Sequence, residues 1–474
     1  MANNLKTRRK QAPKKQDAKL YAVITFVILC FGYIVAKDVA LPQMVTWPIM
    51  FLGLLLILFS AFRSPRIPFY ILLIYMPFNN VLVGKLSSEV TGINLTNVLT
   101  LIVLFSWITY AITHKNERLL VKSTLNFPLT LFCFLGLVSL LHASTSYGYA
   151  YNFAEYVILF KRWISPMLLY FIALNVVKDK ETFKRALFLI LLVTMVIGLM
   201  AIREYMHYEE ERVAGVFLQP NMLGAYFSYT MFFFAGFFLY YYRSLKYWLM
   251  LIPFLICFRG IMVSFSRGAY IASAFGGLMT TFFRSKLLFA FTLAVLAFAV
   301  LNPVFMPGGI RYRMATTFGG DEVFATDIED VTDLSATKRI DIWKGAVEMI
   351  KERPLTGFGY GTFPMLIGNY APASIGRDAH NTYLIIAAEM GIPELLLFLL
   401  ILFIAAKNAH WLLRRCKDRF FKAYAIGFLG GIFALIVVNM FGSRLNSEDV
   451  SSYFWVLVGL TMRAVIMKRK GEIE

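Results

Sequence analysis

The stretch Leu287–Met306 reads LLFAFTLAVLAFAVLNPVFM, twenty residues without a charge. A helix of roughly twenty apolar residues spans the ~30 Å of a bilayer's hydrocarbon core, where unpaired backbone groups are too costly for an open structure. Directly after it comes the one long hydrophilic segment of the chain, residues 307–381, and a second apolar run then extends from Thr382 to Ala406. Further apolar runs lie near 20–36, 44–62, 67–84, 95–112, 127–143, 163–177, 186–202, 221–242, 247–265, 269–283, 423–442 and 451–467. A chain of 474 residues that is 59% hydrophobic and 16% charged, with a mean hydropathy of +0.65, excludes a soluble domain. The pattern predicts an all-α polytopic membrane protein of about 12–14 transmembrane helices with one long, partly helical outer loop.

A net charge of +19 raises the question of nucleic acid, and the placement of the basic residues answers it. They fall in short clusters between apolar runs, as topology and anionic lipid require, so membrane lipids rather than nucleic acid are the expected partners. With the N-terminus inside, the inner segments hold 30 Lys and Arg against 16 outside, and 8 of those 16 sit in the long loop, where the positive-inside rule weakens. Both termini are therefore expected at the cytoplasmic face and the long loop outside. The chain divides into a basic cytoplasmic tail (1–19), a helix bundle (20–306), a large outer loop (307–381), and C-terminal helices with a second cytoplasmic tail (382–474). No small-residue cleavage site follows the first run near Ala36, so that run reads as a retained helix. Cys30, Cys133, Cys257 and Cys416 are scattered, which argues against a disulfide framework or a zinc site.

This topology places Arg212, Arg267, Arg339 and His380 on one face, although they are far apart in sequence. Arg212 opens a stretch that continues through Pro220 and Asn221 to Gly224; Pro suits a helix's first turn and a small residue lets another helix approach. Asn221 is a candidate substrate contact with Arg212. Arg267 follows Ser264-Phe265-Ser266 at a reversal between two runs, and its guanidinium suits phosphate oxygens; a snorkelling arginine is the plainer alternative. Arg259 lies deeper, where a charge faces a cavity or a partner. Arg339 and Trp343 are four apart and share a helix face, either as phosphate and sugar contacts or as an ordinary amphipathic loop helix anchored by the tryptophan. Gly357, Gly359 and Gly361 read as a tight turn that brings backbone close to a ligand or helix. His380-Asn381 stands where the next apolar helix begins: imidazole suits proton removal from a hydroxyl near neutral pH, and a helix N-terminus disfavours its protonated form. His142 and His207 are its rivals on the outer side. The acidic residues between Asp321 and Asp333 lack EF-hand spacing and read as solvated loop, so no metal site and no cofactor are expected.

The motif order Arg-x-x-Gly-x-Phe-x-x-Pro-Asn (212–221), Ser-Arg-Gly (266–268), Arg-x-x-x-Trp (339–343), Pro-Leu-x-Gly-x-Gly (354–359) and His-Asn-x-Tyr-Leu (380–384) resembles the O-antigen ligase superfamily. The superfamily includes O-antigen ligases, some O-antigen polymerases and pilin oligosaccharyltransferases. The resemblance covers roughly residues 200–400; the first two hundred match only as apolar helices, and the fourteen runs exceed the usual number of spans. It implies a metal-independent, inverting glycosyltransferase of the bacterial inner membrane with its long loop in the periplasm. Such an enzyme takes a glycan from undecaprenyl diphosphate and passes it to the hydroxyl of a lipid or glycan acceptor, such as lipid A-core. His380 is then the base, Arg267 and Arg339 stabilise the leaving diphosphate, and Arg212 is a further contact; Asn221, Arg259, Trp343 and Asn381 are candidate substrate-binding residues beside them. A polymerase that joins lipid-linked repeat units is the alternative within the superfamily. A flippase or exporter of lipid-linked glycans is the alternative of another class, for which the sequence offers mainly Arg259 and no repeat. Oligomeric state is not legible.

Overall fold

The computed structural model describes residues 57–82, 95–114, 118–207, 212–302, 304 and 336–474. The basic tail, the apolar run at 20–36, most of the run at 44–62 and the acidic run at 321–333 lie outside the described residues. Within them the chain is helical and has no strand. The helices are α1 (Arg66–Tyr75), α2 (Leu95–Thr113), α3 (Asn126–Tyr147), α4 (Phe153–Val176), α5 (Lys180–His207), α6 (Pro220–Tyr241), α7 (Leu251–Val263) and α8 (Arg267–Arg284). They continue with α9 (Lys286–Leu301), α10 (Ala336–Glu352), α11 (Thr382–Met390), α12 (Ile392–Arg415), α13 (Arg419–Val438) and α14 (Glu448–Arg469). Nine described helical segments are long and apolar enough to cross a membrane, so this is an all-α, multi-pass membrane protein.

Three expected spans differ from the helices observed, each for a local reason. The run at 163–177 starts ten residues earlier, at Phe153, because the Asn152 side chain caps the helix by accepting the Glu155 N–H. The run at 67–84 is interrupted after Tyr75, where Pro77 belongs to a tighter turn over Met76–Phe78, and it resumes as helix at Asn79–Leu82. The run from Thr382 to Ala406 is two helices, broken at Gly391 (φ 90°). A Cβ there would overlap the Leu355 carbonyl, so only glycine lets the loop pass.

The bundle is built on α6 and α13, whose backbones touch. A Cβ at Gly427 would lie 2.7 Å from Phe233 Cα, and one at Gly431 would lie 2.5 Å from the Tyr229 carbonyl oxygen. Small residues four apart permit this approach, which replaces the hydrophobic driving force that lipid removes. Helix α14 is buried along most of its length and packs on α4, with Gly459 2.6 Å (as a virtual Cβ) from the Tyr170 carbonyl oxygen. At one end of the bundle, Lys180 pairs with Asp418 and Arg463 donates to the Lys178 carbonyl (2.8 Å). The starts of α6, α8, α11 and α14 and the end of α13 gather at the other.

That second end carries a cap with its own small core, in which Ile342, Ala346 and Met349 of α10 meet Phe358, Phe363 and Ile367. The glycine turn docks the cap onto the bundle. Gly357, Gly359 and Gly361 have φ of 64°, 110° and 79°, and a Cβ at Gly359 would lie 2.5 Å from Ala143 Cβ on α3. Phe358 and Gly359 donate their N–H groups to the carbonyls of Ala388 (3.0 Å) and Glu389 (2.7 Å). The close backbone approach expected of these glycines is made to helices of the same chain.

Candidate active site

The segment that follows α13, residues 439–446, joins parts of the site that are distant in sequence. Asn439 accepts the Thr382 N–H on its carbonyl (3.0 Å) and the Thr382 hydroxyl on Oδ1 (2.7 Å), which fixes the start of α11 and hence His380 two residues before it. Ser443 Oγ donates to Asp378 Oδ1 (3.1 Å), and the His380 N–H donates to the same oxygen (3.2 Å). His380 Nδ1 stands 3.9 Å from Asp378 Oδ2, with a quarter of the imidazole side chain exposed. On the opposite flank, Phe441 packs on Gly268, where a Cβ would lie 2.8 Å from Phe441 Cβ. Arg267, the first residue of α8, is thereby seated on the same segment as His380.

Arg212 joins the cluster through the α7–α8 turn. Its Nε donates to the Ser264 carbonyl (3.4 Å) and Nη2 to Asn221 Oδ1 (3.1 Å), while the Val213 N–H donates to the Val263 carbonyl (3.1 Å). Gly224 allows this arrangement, because a Cβ there would lie 2.7 Å from Ser264 Oγ and 2.9 Å from Ala269 Cβ. From the cap, Trp343 Nε1 donates to the Ala379 carbonyl (2.9 Å), setting the face of α10 that also bears Arg339 against the His380 segment.

Two candidates have other visible duties. Asn381 spends its side-chain oxygen on capping α11, accepting the N–H groups of Tyr383 (3.0 Å) and Leu384 (3.3 Å). Arg259 is exposed on α7, its guanidinium over the Tyr205 ring at 4.9 Å. Of the rival histidines, His142 lies on α3 with Nδ1 3.4 Å from Ser146 Oγ, and His207 ends α5.

Backbone geometry marks the same places. Among the described residues, three that are not glycine adopt a left-handed conformation: Leu218 (φ 55°), Phe265 (φ 49°) and His380 (φ 49°). Each lies in one of the three polar motifs at this end of the bundle. Such residues cost of order 1–3 kcal/mol and concentrate at functional sites, where surrounding structure holds them.

Sequence reasoning missed Asp378, the 439–446 segment and Glu389. Asp378 stands two residues before the histidine, Asn439 interrupts the apolar run 423–442, and Ser443 and Asn446 follow it; these were signals available in the sequence. Glu389, only 3% exposed, lies below a cavity of about 320 Å³ that reaches up to Asp378 and Ser443. Burial pushes its carboxyl up from 4.5 to about 7, against the backbone N–H groups of Gly361 and Phe363 that donate to it (3.0 Å for Phe363). The folded protein then holds a proton that the unfolded chain releases near pH 4.5, so stability falls as pH rises from about 4.5 to about 7 and is level above that. The full swing is about 3 kcal/mol at 1.36 kcal/mol per pKa unit. Thermal unfolding in detergent at pH 5 and pH 8 should show this slope in the wild type and a flatter one in Glu389→Gln; equal slopes would count against the buried proton.

Fold and site together define a multi-pass membrane protein with a polar, arginine-containing site enclosed between one end of its bundle and a helical cap. The family model for O-antigen ligase matches residues 252–399, so this segment is similar to the O-antigen ligase superfamily, and the match supports kinship with it. The match runs from α7 into α12 and includes Arg267, Arg339, Asp378 and His380. No curated protein matches the chain.

Proposed function

We propose that the protein is an O-antigen ligase-like glycosyltransferase. It moves a glycan from undecaprenyl diphosphate to an acceptor hydroxyl, such as one on lipid A-core, at the periplasmic face of the bacterial inner membrane, with both termini in the cytoplasm. The observation that carries this reading is the seating of Arg267 and the Asp378–His380 pair on one segment, residues 439–446. The acceptor oxygen attacks the anomeric carbon as His380 takes its proton; the bond to the diphosphate oxygen breaks and the electron pair leaves with the diphosphate. Attack opposite the leaving group inverts the anomeric centre. Charge grows on the diphosphate as that bond breaks, so fixed arginines stabilise the transition state more than the ground state. Arg267 is well suited to this, since it sits at the positive end of α8, where Ser266 makes no side-chain cap. Arg339 and Arg212 supply further positive charge, and Asp378 holds the His380 backbone in its left-handed conformation.

The test is the length of glycan left on undecaprenyl diphosphate in a deletion strain, with and without complementation. Full-length polymer that never reaches its acceptor is the expected result. Single repeat units would instead make the protein a polymerase, and donor trapped on the inner leaflet would make it a transporter. Transfer by purified protein should also proceed unchanged in EDTA; inhibition reversed by Mg²⁺ or Ca²⁺ would assign the acidic run 321–333 to a metal.

A further inference from the structure

The cavity between α4, α11, the glycine turn and residues 443–447 has two unlike walls. One is aromatic: Trp163 and Tyr360 lie with ring centroids 5.5 Å apart and planes 29° apart, and Tyr151 donates its hydroxyl to the Tyr360 carbonyl (2.6 Å), which holds that ring's backbone in place. The other is polar and rich in acceptors. Asp378, Ser443 and Asn446 line it. Among the described residues no Lys or Arg lines the cavity, whereas two carboxylic acids, Asp378 and Glu389, do. An anion placed against Asp378 is therefore disfavoured there.

We infer that this cavity is a subsite for one uncharged pyranose ring, with the ring's C–H face on the aromatic wall and its hydroxyls toward Asp378, Ser443 and Asn446. Its volume of about 320 Å³ is at the small end of ligand pockets, as one ring requires. The subsite opens beside Asp378, the residue that anchors His380, so a ring held in it lies next to the proposed point of transfer. The inference rests on the glycosyltransferase reading and adds a selection by charge: neutral sugars are admitted and uronic acids refused. The ring belongs to the donor glycan or to the acceptor, and the two sources share this chemistry.

Saturation-transfer NMR on the full-length protein in detergent tests it, with methyl glycosides of glucose, galactose and N-acetylglucosamine as probes and methyl glucuronide as the charged comparison. At least one neutral glycoside should receive saturation and the glucuronide should not. Asn446→Ala should weaken neutral binding about tenfold, the worth of one neutral hydrogen bond. Met222→Trp, which narrows the cavity from α6, should abolish it. Equal binding of the glucuronide, no binding of any neutral glycoside, or binding untouched by both substitutions would overturn the subsite. Undecaprenyl diphosphate carrying one N-acetylglucosamine displaces the glycoside if the ring is the donor's and leaves it bound if the ring is the acceptor's. Undecaprenyl diphosphate without sugar, followed by phosphorus NMR, tests the transferase reading separately: if it fails to bind while the glycoside binds, that reading fails and the subsite stands.

Discussion

Transfer falls by about 10²–10⁴-fold when His380 becomes alanine, the usual worth of a positioned general base, and the protein stays in the membrane at wild-type abundance. Abundance is kept because the contacts that fix the backbone here do not use the imidazole. The hydrogen bond from the His380 N–H to Asp378 survives loss of the ring, and so does the hold of Asn439 on Thr382. Alanine keeps the left-handed strain at φ 49°, whereas asparagine adopts that conformation more readily. His380→Asn should therefore be as inactive as His380→Ala and at least as stable on heating in detergent. Activity is read as label transferred from lipid-linked glycan to acceptor, alongside protein level by immunoblot. Turnover retained in both variants would remove His380 as the base, and loss of protein in both would make its role structural.

Arg267→Lys should lower kcat by about 10²–10³-fold, the cost of removing one preorganised partner of a developing oxyanion, with KM changed far less. Lysine keeps the charge but loses the planar fork that engages two phosphate oxygens at once. The backbone beneath the residue does not depend on the side chain, because Gly268 against Phe441 and the Ser266 N-cap position set the start of α8. A loss confined to kcat means that the fork matters as the bond to diphosphate breaks; a loss confined to KM would mean that Arg267 only binds the donor. Full activity in Arg267→Lys would leave the residue as a general attraction for anionic lipid.

The spans were legible because hydrocarbon tolerates little but uncharged helix, and the errors fall where another part of the chain intervenes. Thr382 to Ala406 reads as one apolar run, and it divides into α11 and α12 where the Leu355 carbonyl presses on Gly391 and Pro393 opens the next helix. The beginning of α4 was hidden because Glu155, Lys161 and Arg162 interrupt its apolar pattern. In the site, Arg212, Arg267 and His380 stood out as charged or titratable groups at helix starts in an apolar chain. The uncharged side chains that organise them did not: Asn439 reaches Thr382 across 57 residues of sequence, and Ser443 reaches Asp378 across 65. No local pattern encodes contacts of that range. Trp343 and Asn381 were read as substrate contacts, and the bonds visible for them are internal, one fastening the cap and the other starting a helix.

The 439–446 segment lies beyond residue 399, where the family match ends. The recognisable domain is therefore not the unit that can be cut out or exchanged. A fragment that stops there keeps Arg267, Arg339 and His380 but lacks Asn439, Phe441 and Ser443, which set the two halves of the site in register. A chimera between related proteins would have to carry α13 and its following turn together with the loop and cap, or it would set the site residues of one parent on the alignment of the other.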